Sequence, residues 1–338
     1  MKSKIFFVVV LALALVFVVT ACAPAPAPTA APVVQTVVVK ETVAVPQTVA
    51  VPQTVVVPPT AQPTAAATAT SVPPTPVAQV PSDALAQPGK LLACSDFPYP
   101  PQEFYDAKGN PVGVDVELGD EIGKRLGLQT TWINSVFDTI IAAVKSGKCD
   151  VVISAMTITP DRNKQISFIP YFEAGQAFVA QKGNPQNINT PLDLCGKSAA
   201  AESGTVEVDY LSGQGDYKGK GLTDQCKAAG KAAVNVVVTQ KDSDALQQLQ
   251  SGKVAVYAAD SPVAAYYTVQ HPDQFQLVGN VLDASPEGIG VPCGADDCTK
   301  APLTPLGQAV QAALKSMMAD GTYTKILAKW NLTNSAVK

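Results

Sequence analysis

The chain has 338 residues, a formal net charge of −4 and a single histidine. The length suggests two domains. A mildly acidic chain argues against nucleic acid or an anionic membrane surface as a partner. One histidine argues against a His-rich metal site or a histidine-dependent catalytic triad. We therefore expect no nucleic-acid partner, no metal and no cofactor.

Residues 1–21 have the features of a secretory signal peptide. Lys2 and Lys4 precede an unbroken apolar run over residues 5–19, and small residues lead up to Cys22. The run is shorter than the roughly 20 residues that a membrane span requires. Its end resembles the lipobox of bacterial lipoproteins, whose cysteine is acylated after cleavage. We expect Cys22 to anchor the exported protein by a lipid to the outer face of the cytoplasmic membrane; an uncleaved anchor is the alternative.

Residues 22–88, which begin at the lipidated cysteine, have the composition of a tether. Residues 23–88 hold 14 of the 28 prolines. A six-residue repeat, TVVVKE-TVAVPQ-TVAVPQ-TVVVPP, begins at Thr36. Alternating valines suit a strand, but the recurring proline removes a backbone donor. We therefore predict a disordered, extended tether rich in Pro, Val, Thr and Ala, with a small β-module as the alternative.

Six further cysteines are even in number, which suggests disulfides in an exported chain. They lack the Cys-x-x-Cys spacing that is typical of zinc sites. Six cysteines allow 15 pairings. Proximity favours a bridge between Cys293 and Cys298 across the CGADDC turn. Each of the other two expected bridges would then lie within one half of the folded part: Cys94–Cys149 and Cys195–Cys226.

The folded part, from about Gly89 to Leu332, alternates strand and helix patterns. The run at 91–94 is a short apolar strand, and apolar residues at 114, 118, 122 and 126 form one face of a helix. A strand at 128–132, a helix over 137–148 and a strand over 150–156 follow. Such alternation is typical of a parallel α/β sheet.

A second segment resembles part of the first. VKSGKCDVVISA at 144–155 and LQSGKVAVYAAD at 249–260 share a helix end, a Ser-Gly-Lys turn and a buried strand. Ligands of open parallel sheets bind beyond the carboxyl ends of strands. One of these ends carries hydroxyls and Arg162, and the other carries Asp260. A small zwitterion between two α/β units would satisfy both charges.

From about Gly89 to Leu332 the chain resembles the amino-acid-binding solute-binding proteins of ABC importers. The resemblance is carried by CSDFPYPPQEFYDAKGNPVGVDVEL, FDTIIAAVKSGKCDVVISAMTITPDRNKQISF, PLDLCGKSAAAESGTVEVDYL and GTYTKILAKW. Each segment is weakly specific, whereas their order and spacing are specific. The chain departs from the usual family pattern at Val206, where a hydroxyl or glycine is common, and at Gln102, where an aromatic residue is common.

The resemblance implies an α/β fold of the type II periplasmic-binding-protein kind. In this fold two lobes joined by two hinge strands close on a ligand. Lobe 1 would comprise residues 89–178 and 286–338, and lobe 2 residues 179–285. The implied function is capture of a free amino acid for the permease subunits of an ABC importer. The protein would be a monomer and not an enzyme.

The resemblance also assigns roles to residues at the ligand head. Arg162 matches the arginine that holds the ligand α-carboxylate, which a planar guanidinium can bind through both oxygens. Ser154 and Thr157 match contacts to the same head, and Asp260 matches the acceptor of the α-ammonium group. Thr205 lies where a helix start would offer backbone N–H groups to the carboxylate.

Residues of the side-chain pocket follow from the same comparison. Asp96 and Tyr99 match lining residues, and Phe137 matches an aromatic ring that packs on the ligand. Glu202 adds a second acid, so we expect a cationic or polar amino acid. Simpler interpretations remain: Arg162 as a surface charge paired with its neighbour, Asp260 as a helix cap, Asp96 as a turn residue, and the aromatic residues as core.

Two other functions share this fold. One is an enzyme resembling cyclohexadienyl dehydratase, with Glu202 or Glu173 as the acid. The other is a sensor component that presents its ligand to a separate receptor chain. Turnover would indicate the enzyme, and ligand binding without turnover would indicate a binding protein.

Overall fold

The computed structural model describes residues 76–337. The signal peptide, Cys22 and the valine–proline repeats lie outside the described residues. Among residues 76–337, no helix combines the length and the apolar character needed to cross a membrane.

One eight-stranded sheet runs through the molecule in the order β4-β1-β5-β10-β6-β9-β7-β8. On one side β4, β1 and β5 are parallel, and on the other β9, β7 and β8 are parallel. A separate hairpin pairs β2 with β3. The strands are β1 (Lys90–Ser95), β2 (Phe104–Tyr105), β3 (Pro111–Val112), β4 (Gln129–Asn134), β5 (Val151–Val152), β6 (Ser167–Gln181), β7 (Ser198–Glu202), β8 (Asn235–Thr239), β9 (Val256–Asp260) and β10 (Phe275–Val291).

Helices cover this sheet and are joined to it by short turns. Those in the described part of the chain are α1 (Val114–Arg125), α2 (Phe137–Lys145), α3 (Pro160–Asn163), α4 (Val206–Ser212), α5 (Leu222–Ala228), α6 (Asp242–Gln250), α7 (Ser261–Gln270), α8 (Pro305–Ala319) and α9 (Thr322–Lys329). The 3₁₀ turns are Ser82–Ala84, Pro191–Leu194, Gly215–Tyr217, Cys298–Lys300 and Thr333–Ser335.

The two long antiparallel strands β6 and β10 belong to both lobes. Ala174 of β6 packs in the core of lobe 1, whereas Phe178, four residues on, packs in the core of lobe 2. The pairing of β10 with β6 shifts register between residues 278 and 285. Gly175 lies at this level, and a Cβ there would lie 2.6 Å from the carbonyl oxygen of Leu282. A glycine therefore permits the close approach of the two hinge strands, and the expected two-lobe fold is confirmed.

The predicted helix after residue 113 is confirmed. Val114, Leu118 and Ile122 are fully buried in the core of lobe 1, as their four-residue spacing predicted. Lys124 and Arg125 lie in the last turn, where the helix dipole favours cations. Gly127 follows with a φ of +70°, a conformation that suits glycine.

The strand predicted over residues 150–156 is shorter than expected. Only Val151–Val152 pairs as β5, because the chain leaves the sheet at Ser154 to line the cleft and Ala155 has a φ of +42°. The two similar segments found in the sequence, 144–155 and 249–260, occupy equivalent places in the sheet. Each leads from a helix through a positive-φ glycine into the strand beside a hinge strand: β5 beside β10, and β9 beside β6.

The boundary predicted between tether and folded part needs a correction. The backbone N–H of Val77 donates to the carbonyl of Arg125 over 2.9 Å, and Leu85 is buried in the core of lobe 1. The N–H of Ala86 donates to Asp150 over 2.7 Å. Residues 77–88 therefore belong to the folded part. Their apolar side chains pack against the core of lobe 1, which the composition of the segment does not reveal.

The six cysteines form the three expected pairs, Cys94–Cys149, Cys195–Cys226 and Cys293–Cys298, with Cα–Cα distances of 5.7, 5.5 and 5.7 Å. Each bridge lies within one lobe. The bridges therefore place no covalent restraint on movement of one lobe relative to the other.

Candidate functional site

A closed pocket lies between the lobes, beyond the carboxyl ends of the strands. It is lined by Asp96, Tyr99, Glu103, Phe137, Ser154, Ala155, Thr157, Arg162, Glu202, Thr205, Val206, Glu207 and Asp260. All nine candidate ligand-binding residues from the sequence are in this set. The structure thus brings together residues that are up to 164 positions apart in the chain.

Arg162 is buried at the base of the cavity. Thr159 caps the short helix α3, because its hydroxyl accepts from the backbone N–H of Arg162. The guanidinium donates to the carbonyl oxygens of Thr157 (2.7 Å) and Gly204 (2.8 Å) and lies 5.3 Å from the Phe137 ring centre. Asp161, its proposed surface partner, pairs with Lys164 instead. Arg162 is therefore a cleft residue and not a surface charge.

Asp260 stands at the N-terminus of α7 without capping it. Its side chain makes no bond to the helix, and Oδ2 instead accepts from the hydroxyl of Tyr99 in lobe 1 at 2.8 Å. Burial raises the pKa of Asp260 well above its usual range, and the positive charge of Arg162 opposes that rise. A ligand ammonium group beside it would relieve the cost of burying the carboxylate.

Asp96 joins two helix N-termini across the cleft. Oδ2 accepts from the backbone N–H of Phe137 at the start of α2, at 2.6 Å, and Oδ1 forms an ion pair with Lys241 of lobe 2. Burial raises the pKa of Asp96, whereas Lys241 acts in the opposite direction. The Phe137 ring lines the cavity and also packs against the core of lobe 1. Asp96 is thus more than a turn residue.

Glu202 ends β7 and points into the cavity rather than to solvent, with 6% of the residue exposed. Burial raises its pKa to about 10, and the negative charges of Asp96 and Asp242 add to the rise. Its Oε1 is buried and has no partner in the described protein. Glu173, the other acid considered for catalysis, does not line the cavity.

Ser154, Thr157 and Thr205 line the cavity as predicted, but they differ in how far protein groups already occupy their hydroxyls. The Ser154 hydroxyl donates to Glu103 at 2.6 Å and accepts from the N–H of Asp96 at 2.9 Å. The Thr205 hydroxyl caps α4 and donates to the carbonyl of Glu202 at 2.7 Å. Thr157 forms a backbone bridge with Glu287. Ser154 and Thr205 therefore organise the acids around them.

Sequence reasoning missed four residues of this region. Glu103 and Glu207 line the cavity, and each has a buried oxygen without a partner in the described protein. Ala155 also lines it, and Lys241 bridges to it. Val206, noted in the sequence as a departure from the family pattern, lines the cavity as well. Glu207 lies in the first turn of the helix expected after Thr205, so that helix could have revealed it. The positions of Glu103 and Lys241 depend on long-range folding that no local pattern shows.

Polar contacts across the cleft join Tyr99 to Asp260 and Arg162 to Gly204. Lys241 adds two more, to the carboxylate of Asp96 and to the carbonyl of Phe97. Gly204 has a φ of +79°, and a Cβ there would lie 2.8 Å from Cα of Asp138 in lobe 1. The lobes are therefore closed on each other, and this approach requires a glycine at position 204.

Residues 91–333 match the family model of the bacterial extracellular solute-binding proteins, family 3. The chain belongs to this family. The match spans both lobes and both hinge strands, and it confirms the resemblance found in the sequence.

Relatives in this family include the ABC transporter arginine-binding protein 1 of Escherichia coli (strain K12). It is 31% identical over 69% of this chain and 86% of its own length. An ancestral arginine-binding protein bound to arginine has a TM-score of 0.62 and is 37% identical over 72% of this chain and 98% of its own. An ancestral arginine-binding protein bound to glutamine has a TM-score of 0.61 and is 37% identical over 72% of this chain and 97% of its own. These relatives are binding proteins, which confirms the expectation of an amino-acid-binding protein rather than an enzyme.

Proposed function

We propose that this solute-binding protein captures a cationic amino acid of the arginine and lysine type by closure of its lobes. The observation that supports the proposal is the charge of the cavity lining. Five carboxyl groups, those of Asp96, Glu103, Glu202, Glu207 and Asp260, line it together with one cation, Arg162. A cationic amino acid brings one carboxylate and two positive groups, which complements this set better than a neutral or acidic amino acid does.

The geometry suggests one orientation for the ligand. The α-carboxylate lies at Arg162, whose guanidinium has five N–H donors and uses two on backbone carbonyls. The α-ammonium group lies at Asp260. The ligand side chain then extends towards Asp96 and Glu202, which lie close enough to each other to share a hydrogen bond.

The pKa shifts of the buried acids also favour a ligand with a cationic side chain. Burial raises the pKa of Glu103, Glu207 and Glu202, because their charges are removed from water, and the nearby Arg162 and Lys241 offset this only in part for Glu207 and Glu202. One charge pair about 4 Å apart at an effective dielectric near 20 contributes about 4 kcal/mol before desolvation is subtracted. A ligand cation supplies the missing partner, whereas an acidic side chain adds to the repulsion.

The decisive experiment is calorimetric titration of arginine, glutamine and glutamate into the wild-type protein and into Glu202→Gln. We expect arginine to bind tightest to the wild type, and the arginine-to-glutamine preference to fall in the variant. Asp244→Asn is the matched control, because it removes one negative charge from an exposed position of α6. Tightest binding of glutamate, or an unchanged preference in Glu202→Gln, would contradict the proposal.

The proposal includes export and a lipid anchor at Cys22, which lies outside the described residues. The support is the lipobox-like sequence followed by the proline-rich segment. The tethered monomer would deliver its ligand to the permease subunits of an ABC importer. Cys22→Ser should release the protein from membranes in cell fractionation. If that variant stays in the membrane fraction, the first residues act as an uncleaved anchor instead.

A further inference from the structure

Lys241 reaches from lobe 2 to an acid of lobe 1. Its Nζ forms an ion pair with Oδ1 of Asp96 and donates to the carbonyl of Phe97 at 3.3 Å. The side chain of Lys241 is 27% exposed, whereas that of Asp96 is 5% exposed. Asp96 lines the cavity and Lys241 does not. Lys241 therefore acts on the cavity through Asp96.

The position of Lys241 is not explained by its own helix. It occupies the N-cap of α6 and makes no side-chain capping bond, and the dipole at this end of a helix does not favour a cation. Ser, Thr, Asp and Asn are the residues that stabilise such a position. The contacts that hold the ammonium group come from lobe 1, across the cleft.

This ion pair changes the charge at the side-chain end of the cavity. Both oxygens of Asp96 have partners, the N–H of Phe137 and the ammonium group of Lys241. The adjacent Glu202 carries a proton at pH 7, because burial raises its pKa to about 10. Before a ligand binds, that end therefore holds one carboxylate and one ammonium group, and an entering ligand cation competes with Lys241 for Asp96.

We propose that Lys241 is a specificity-determining residue, which positions Asp96 and partly neutralises it. Lys241 therefore weakens the preference of the pocket for a cationic ligand side chain over a neutral one. Without Lys241, the acids of the pocket would make that preference stronger. The inference rests on the proposed function, in that it assigns Asp96 to the ligand side chain. A lysine that only held the lobes together would affect all ligands equally.

The test is titration of arginine and glutamine into the full chain carrying Lys241→Met. We expect the ratio of arginine to glutamine affinity to rise about tenfold, because removal of one nearby, partly screened charge leaves Asp96 free for the ligand. Lys241→Arg should keep the wild-type ratio. Lys253→Met is the matched control, since Lys253 is exposed just beyond the other end of α6.

An equal change in both affinities would overturn the inference and leave Lys241 as a contact between the lobes. A fall in the ratio would also overturn it, because Lys241 would then favour the cationic ligand. The two proposals fail separately. Tighter binding of glutamine than of arginine by the wild type would contradict the proposed function, whereas the change of the ratio in Lys241→Met would still test Lys241.

Discussion

Tyr99 and Asp260 form a reciprocal hydrogen-bonded pair between the lobes. The Tyr99 hydroxyl donates to Oδ2 of Asp260 at 2.8 Å and accepts from the backbone N–H of Asp260 at 3.0 Å. The pair fixes the orientation of the carboxylate at the start of α7. Because Tyr99 and Asp260 lie in different lobes, this orientation depends on closure of the lobes. Asp260 is the acid proposed to bind the ligand ammonium group.

Tyr99→Phe should weaken binding of the cationic ligand by about tenfold to a hundredfold, because a hydrogen bond to a charged group contributes about 1.5–3 kcal/mol. The ring and its packing remain in this variant. Isothermal calorimetry measures the loss. Tyr105→Phe is the matched control, since Tyr105 is 43% exposed. Wild-type affinity in Tyr99→Phe would show that the pair does not orient Asp260 for the ligand.

Arg162→Ala should abolish useful binding. Removing the partner of a buried ligand carboxylate costs about 2–5 kcal/mol, or roughly 30-fold to several thousand-fold in affinity. Lys164→Ala is the control, because it removes a nearby exposed cation that pairs only with the exposed Asp161. A loss of less than threefold in Arg162→Ala, measured by calorimetry, would remove Arg162 from the ligand head.

Binding of a cationic ligand should release a proton from Glu202. The carboxyl is protonated at pH 7, since its pKa is about 10, and a ligand cation beside it lowers that pKa. Affinity for arginine should therefore rise as pH increases from 6 to 8. Calorimetry in buffers of different ionisation enthalpy measures the released proton. The release should disappear in Glu202→Gln, and its persistence there would assign it to another acid.

Replacing Cys195 and Cys226 by serine should lower the free energy of unfolding by about 3 kcal/mol, since the bridge closes a loop of 31 residues. Ligand affinity should stay close to that of the wild type, because the bridge lies within lobe 2 and away from the cavity lining. Urea denaturation measures the stability and calorimetry the affinity. A large loss of affinity in a folded double variant would mean that lobe 2 transmits strain to the site.

Local sequence patterns predicted the elements with strong periodicity. The helix at Val114–Arg125 and the strands on either side of it were predictable, because regular apolar spacing and a closing glycine are local signals. The short strand β5 was not, since its early end depends on the cleft rather than on the residues of the strand. Residues 77–88 were misassigned for a similar reason, because their partners lie on α1 and near Asp150.

The family resemblance predicted part of the ligand cavity, and the residues that it does not assign were missed. Arg162 and Asp260 come to one cavity as expected. Lys241 was missed, because an ion pair between residues 145 positions apart leaves no trace in local spacing. The same holds for Glu103, which meets Ser154 only in the folded chain.

The interrupted pairing between β6 and β10 has a consequence for which contacts supply the free energy of lobe closure. Since the ladder of hydrogen bonds shifts register where the lobes part, rotation about that level disrupts few backbone bonds. We therefore expect the backbone there to contribute little bias towards either an open or a closed arrangement. Amide hydrogens of residues 279–285 should exchange with solvent faster than those of the flanking strand. Selectivity between amino acids is then left to the side chains that meet across the cleft.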